Sequence, residues 1–277
     1  MSVDALTRRA IALALEEDFG PGDVTSSLID ADATGRATVR VKSPLVLAGQ
    51  DAFTEVFRQV DASMTVRFDV PDGTALAPGD SAGEVSGSAR SILMAERTAL
   101  NLLQRMCGIA SMSRRAADAV AGTKARVVDT RKTTPAWRAL EKAAVRAGGC
   151  HNHRFGLFDG VLIKDNHVAS KGGVRAAIEA ARASAHHLLK IECEVDSLEQ
   201  LEEALAAGAD VVLLDNMDNA TMTEAVRITA GRAILEASGG VTLDRLPSIA
   251  KTGVDLISMG ALTHSAKAAD ISLDWIA

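Results

Sequence analysis

Asp-Thr-Arg-Lys-Thr-Thr-Pro (129–135), Gly-Gly-Cys-His-Asn-His-Arg (148–154) and Gly-Val-Leu-Ile-Lys-Asp-Asn-His (160–167) decide the fold. In the first and third, a short apolar run (Ala125–Val128, Val161–Ile163) breaks off into charged residues. That is how a strand of a parallel sheet reads when it is buried on both faces and ends at a working surface. Across 129–167, beyond Asp129 itself, the cations Arg131, Lys132, Arg138, Lys142, Arg146, Arg154 and Lys164 face only Glu141, Asp159 and Asp165. The chain as a whole carries a formal charge of −6. A cationic cluster inside an acidic chain suggests a small, highly anionic ligand rather than a general polyanion surface.

Working outward, the run at 125–129 is the first of six. The others are 160–164, 189–195, 211–215, 233–238 and 256–260, separated by helix-like segments. Spacings of about 22 to 35 residues fit βα units. Asp129, Lys164, Glu194, Asp215 and Ser238 end five of them. Five polar strand ends favour a β/α barrel over an open doubly wound sheet, which uses only its switch-point strands. Before residue 100 the rhythm differs. A helix is expected over 4–17, alternating strands over 34–48 and 64–70, with 45–49 extending or pairing with the former. A helix is expected over 51–60, a turn and short strand over 79–87, and a long helix over 91–121 interrupted at Gly108. The fold class is therefore α/β: an N-terminal α+β, sandwich-like domain over 1–110, which 267–277 could rejoin, and a C-terminal barrel over 111–266.

The 277 residues are 47% apolar, enough for a sizeable core, with 3% aromatics and no Tyr. Scarce aromatics argue against single-strand recognition by base stacking, and net acidity against nucleic-acid or membrane-surface roles. No apolar run reaches the roughly 20 residues of a spanning helix. The N-terminus shows no signal region, and Cys107, Cys150 and Cys193 form no Cys-x-x-Cys pair. A soluble cytoplasmic protein with free thiols is expected.

Individual groups carry chemistry with alternatives attached. Gly239-Gly240 and Gly260 follow the last two strands, where backbone N–H groups build phosphate sites in barrels; ordinary turns are the alternative. Arg131 and Lys132 precede Thr133-Thr134-Pro135, expected to start a helix and set its free N–H groups beside the cations. His151-x-His153 lacks partners at zinc spacing, so His153 reads as a ligand hydrogen-bonding group and Arg154 as a charge partner. Lys164 is either a Schiff-base amine or an anion holder. Glu194 and Asp215 suit Mg²⁺ with a phosphorylated substrate, or sugar hydroxyls; helix capping is the alternative for Asp215. Arg97 on the long helix is ambiguous alone.

With those residues in view, the chain resembles the quinolinate phosphoribosyltransferases over nearly its full length. The resemblance rests on 17–26, 95–101, 129–135, 152–157, 162–167 and 192–195. It implies a type II phosphoribosyltransferase fold, an N-terminal sandwich and a barrel of incomplete strand count. It also implies a homodimer in which Arg97 reaches the neighbouring site. Quinolinate would meet Thr130, Arg131, His153, Arg154 and Lys164. Phosphoribosyl pyrophosphate would meet Lys132, Glu194 and Asp215, with Mg²⁺ on the two carboxylates. Ser238, Gly239, Gly240 and Gly260 would hold the 5′-phosphate, and His264 the pyrophosphate. Arg131, Lys132, Lys164, Glu194 and Asp215 are the expected catalytic set. Two departures stand out. Ala136-Trp137 replaces a frequent Gly-Leu, with Trp137 expected to reshape the pocket, and Cys150 replaces a common third glycine. The reaction implied gives nicotinate mononucleotide, pyrophosphate and CO₂. The rivals are a related protein encoded with molybdate transport genes and a Schiff-base lyase using Lys164.

Overall fold

A computed structural model describes residues 3–276. They divide into two compact units. The first comprises Met1–Arg114, Thr133–Gly149 and Leu262–Ala277; the second comprises Arg115–Lys132 and Cys150–Ala261. Residues 133–149 therefore fold with the N-terminal stretch, beyond the 1–110 and 267–277 considered for it from sequence.

In the first unit, β1 (Thr34–Val41), β3 (Thr65–Phe68) and β5 (Ser81–Ser88) share an antiparallel sheet with β12 (Ile271–Trp275), in the order β12-β1-β5-β3. The last strand pairs with the first, Val39 opposite Leu273. Alternation puts Ala37, Val39 and Val41 fully inside. They meet Phe53 and Phe57 of α2 (Gln50–Val60), and Ile11 and Leu15 of α1 (Ala5–Phe19). Asp4 caps α1 by accepting from the Thr7 N–H at 2.9 Å. Two expectations fail here. β2 (Leu45–Val46) pairs with β4 (Ala75–Leu76) instead of extending β1. And α3 (Ala89–Ala119) runs unbroken through Gly108. A Cβ at Gly108 would lie 1.9 Å from the Lys267 carbonyl oxygen, so this glycine serves close backbone approach, not a break.

The second unit is built on an all-parallel six-stranded sheet. Its strands are β6 (Arg126–Val128), β7 (Val161–Ile163), β8 (Ile191–Val195), β9 (Val211–Asp215), β10 (Ile234–Ser238) and β11 (Leu256–Ser258), in the order β6-β11-β10-β9-β8-β7. All six expected runs are strands. His151 bridges the β6 edge at Val128, and the Arg154 guanidinium donates to the Gly160 carbonyl, next to the β7 edge, at 2.9 Å. The segment 151–160 thus ties one edge strand to the other, a one-residue stave in a barrel of incomplete strand count. Helices such as α6 (Val174–Ser184), α7 (Leu198–Ala206) and α8 (Asn219–Thr229) follow the strands. Among the described residues no helix is long and apolar enough to cross a membrane.

Candidate active site

Arg131, Lys132, Lys164, Glu194, Asp215, Ser238, Gly239, Gly240 and Gly260 all lie at or just past the carboxyl end of a strand of this one sheet. They therefore share a face, the one where barrel sites form. Asp129, fully buried one step beyond β6, organises the loop beside it. It accepts from Asn152 Nδ2 at 2.6 Å and from the His153 N–H at 2.9 Å. That pins 152–154 beneath Arg131. Thr130 Oγ1 accepts from the Lys132 N–H at 3.0 Å, so the turn after the strand is set by its own hydroxyl.

The electrostatics are unusual on the cationic side. Burial lowers the Arg154 pKa, and the charge of Arg131 lowers it further; Glu192 and Asp159 act in the opposite sense. A half-buried guanidinium that feels the charge of a second, exposed one is a site that an anion relieves. Lys164, past β7, is exposed, and its Nζ pairs with Glu194 Oε2 at 3.0 Å. An ion-paired, solvent-facing ammonium fits a charge holder better than a desolvated Schiff-base amine.

Across the sheet, Glu194 and Asp215 stand on neighbouring strands. The capping alternative for Asp215 falls away, because Asp218 caps α8 by accepting from the Thr221 N–H at 2.8 Å. Asn216 Nδ2 donates to Asp215 Oδ2 at 2.8 Å and orients that carboxylate. Two carboxylates are hard oxygen donors of the kind Mg²⁺ accepts, and they leave most of its coordination sphere to water and phosphate oxygens. Gly239 and Gly240 have φ of +93° and +56°, which favours glycine at both. At Gly239 a Cβ would sit 2.2 Å from Asn216 Oδ1, so its place is closed to any side chain. Arg245 Nη1 donates to the Gly240 carbonyl at 3.2 Å, adding a positive charge beside the loop.

Other candidates lie elsewhere. Arg97, exposed on α3, and His264, exposed at the end of α10 (Ala261–His264), belong to the first unit. So do Arg138, Lys142 and Arg146. The helix expected at Thr133–Pro135 begins later, as α4 (Arg138–Ala147). Ala136 takes a φ of +65°, and the fully buried Glu141 accepts from the Thr134 N–H at 3.2 Å and its hydroxyl at 2.8 Å. The N–H group meant for an anion is bound to a carboxylate. Trp137 packs against the hydrophobic core of the first unit. Cys150 is buried at an ordinary φ while Gly149 takes the positive one, so a third glycine is not needed.

Sequence reading missed Glu192, Glu236, Asn216 and Arg245. The first two stand two residues before Glu194 and Ser238, hence on the same strand face, and that period-two relation was the available signal. A cleft of about 530 Å³ also opens around Lys124, Lys190, Asp210, Arg232 and Asp255 at the opposite, amino-terminal strand ends. Lys124 pairs with Asp255 at 2.7 Å and Asp210 with Arg182 at 2.8 Å, so its rim is largely self-neutralised.

The comparisons agree with this geometry. Family models described as the N- and C-terminal domains of quinolinate phosphoribosyl transferase match residues 23–107 and 109–274. The probable carboxylating nicotinate-nucleotide pyrophosphorylase of Bacillus subtilis is 45% identical over 93% of this chain and 89% of its own. The human carboxylating nicotinate-nucleotide pyrophosphorylase is 41% identical over 95% and 89%. The solved nicotinate-nucleotide pyrophosphorylase of Francisella tularensis superposes with a TM-score of 0.95 at 38% identity, covering 100% and 98%. A barrel whose strand ends gather cations on one side and carboxylates with a glycine loop on the other, matched over both domains, places this chain in the quinolinate phosphoribosyltransferase family.

Proposed function

We infer that the chain joins quinolinate to phosphoribosyl pyrophosphate with loss of CO₂, giving nicotinate mononucleotide and pyrophosphate, the step that forms the pyridine nucleotide in de novo NAD synthesis. The observation that carries the reading is the pair Arg131 and Arg154, like charges that act on one another at one strand-end face, Arg154 half-buried and Arg131 exposed, with Lys164 on the same face. Their planar forks match a pair of adjacent carboxylates, which fix the ring and orient its nitrogen.

In this reading Thr130 completes the dicarboxylate pocket, and His153, expected there from the resemblance, supports it by accepting from the Arg154 N–H. Ser238, Gly239, Gly240 and Gly260 take the 5′-phosphate through backbone N–H groups. Lys132 faces the pyrophosphate, and Glu194 and Asp215 hold the ribose hydroxyls and Mg²⁺. When bound, Mg²⁺ supplies positive charge against the diphosphate. The quinolinate nitrogen attacks C1 of the ribose, and the C1–O bond breaks with its electron pair leaving on pyrophosphate. Cations placed beforehand around that oxygen lower the barrier without reorganising. The bond from ring C2 to its carboxylate then breaks. The electron pair stays on C2 beside the positive ring nitrogen, and C2 takes up a proton as CO₂ departs. Arg97 of a second copy and His264 are assigned to quinolinate and pyrophosphate respectively.

The test is direct. Pure protein incubated with quinolinate, phosphoribosyl pyrophosphate and Mg²⁺ should form nicotinate mononucleotide, whereas nicotinate, with one carboxylate fewer, should serve poorly. Equal turnover of the two would remove the reason for the paired arginines.

A further inference from the structure

Three side chains inside the barrel lie outside the anion-binding ring. His153, Glu192 on β8 and Glu236 on β10 bring one nitrogen or oxygen each within 4.8 Å of one another. Glu192 and Glu236 are 7% and 1% exposed, and Oε1 of each makes no hydrogen bond. Burying carboxyl groups so poorly satisfied costs stability, and beneath an anion site it also opposes the ligand.

A histidine and two carboxylates suit a metal by composition, but the hydrogen bonding does not allow His153 that role. The backbone N–H of Arg154 donates to His153 Nδ1 at 2.7 Å. A backbone amide can only donate, so Nδ1 presents a lone pair and the ring proton sits on Nε2. Nε2 faces Glu192 Oε2 at 3.1 Å and Glu236 Oε1 at 3.6 Å. It thus offers an N–H to carboxyl oxygens, where a metal ligand would need its lone pair.

We propose that Glu192 and Glu236 are positioning residues for the reaction: from inside the barrel they lock His153 as its Nε2–H tautomer, and His153 in turn holds the Arg154 backbone so that its guanidinium is presented to the substrate carboxylates. The loop is then fastened on both sides of Arg154. Asp129 grips Asn152 and the His153 N–H, His153 Nδ1 takes the Arg154 N–H, and the Gly160 carbonyl takes its guanidinium. Glu236 itself faces Glu192 from β8, His153 from the loop and the Ser258 hydroxyl from β11. Burial and then the charge of Glu192 push its pKa up to about 7. Near neutrality Glu236 is therefore partly protonated, which limits its opposition to an anion at the strand ends. The assignment of Arg154 to the dicarboxylate rests on the proposed function; the tautomer does not.

The experiment has a ligand-free arm and a kinetic arm. Nitrogen-15 NMR of histidine-labelled protein without substrate should show the His153 ring protonated at Nε2 and bare at Nδ1. Glu192→Gln, which keeps an acceptor oxygen, should retain that signature, and Glu192→Ala should lose it. Kinetically, Glu192→Ala should raise the KM for quinolinate about tenfold while the KM for phosphoribosyl pyrophosphate stays within about twofold, and Glu192→Gln should recover most of the loss. An Nδ1–H tautomer in the unsubstituted protein overturns the proposal, with or without activity. So does Glu192→Ala with tautomer and quinolinate KM unchanged, or calorimetric binding of Zn²⁺ that Glu236→Gln abolishes. If the chain proves inactive on quinolinate while the tautomer is as stated, the substrate reading fails and the lock stands as a structural one.

Discussion

Replacing Glu236 by Gln gives a stability change whose sign depends on pH. The side chain is 1% exposed on the inside of β10, and its folded pKa lies at about 7 against an ordinary 4.5. Burial raises it first and the charge of Glu192 next, while His153 opposes. A carboxyl group with a raised folded pKa binds its proton more tightly in the folded state than in the unfolded one. Its contribution is fully present below about pH 4.5 and is lost as pH rises through about 7. At about 1.4 kcal/mol per pH unit, the interval from 4.5 to about 7 amounts to at most about 3–4 kcal/mol. Gln has the same shape and cannot ionise. Glu236→Gln should therefore be close to the unsubstituted protein at pH 5 and more stable by up to about 3–4 kcal/mol above pH 8. Urea denaturation followed by circular dichroism at several pH values, with the slope in denaturant unchanged, measures the difference. A difference that is flat with pH, or one that turns against the Gln variant as pH rises, would refute the reasoning.

Two substitutions probe the backbone. Ala136 holds a φ of +65° that glycine adopts without strain, so Ala136→Gly should raise stability by about 1 kcal/mol in thermal unfolding; a loss would show that the turn differs from the one described. Gly239→Ala should cost about 2 kcal/mol or more, because φ is +93° and the new Cβ would lie 2.2 Å from Asn216 Oδ1; it should also raise the KM for phosphoribosyl pyrophosphate more than that for quinolinate. Arg131 is exposed, so Arg131→Ala should leave stability within about 0.5 kcal/mol. Loss of one charge-assisted contact of about 1.5–3 kcal/mol should raise the KM for quinolinate by about 10- to 150-fold, measured at saturating phosphoribosyl pyrophosphate.

The second unit was the more legible from sequence. Parallel strands buried on both faces leave continuous apolar runs, and five of the six end near the residue whose polarity marked them, Val128 before Asp129 and Ile163 before Lys164 among them. What escaped depended on contacts between distant residues. Gly108 reads as a helix breaker until Lys267 is seen against it. Pro135 reads as a helix start until Ala136 turns the chain the other way and Glu141 captures Thr134. β2 and β4 have two residues each, too few for alternation to reveal their partner. Trp137 is ambiguous by type, and only the core it packs on assigns it. Glu192 and Glu236 hide in the strand runs Ile-Glu-Cys-Glu-Val and Ile-Leu-Glu-Ala-Ser, because the residue they share, His153, is distant in sequence from both.

The account depends on one cationic cup holding a dicarboxylate while its nitrogen displaces pyrophosphate. Release of labelled CO₂ from quinolinate carrying the label in its 2-carboxylate tests that most directly. The account predicts release by the intact protein only when phosphoribosyl pyrophosphate and Mg²⁺ are both present, matched one for one by nicotinate mononucleotide, and suppressed in a protein carrying both Arg131→Ala and Arg154→Ala. Release without phosphoribosyl pyrophosphate, or undiminished in the doubly substituted protein, would contradict it.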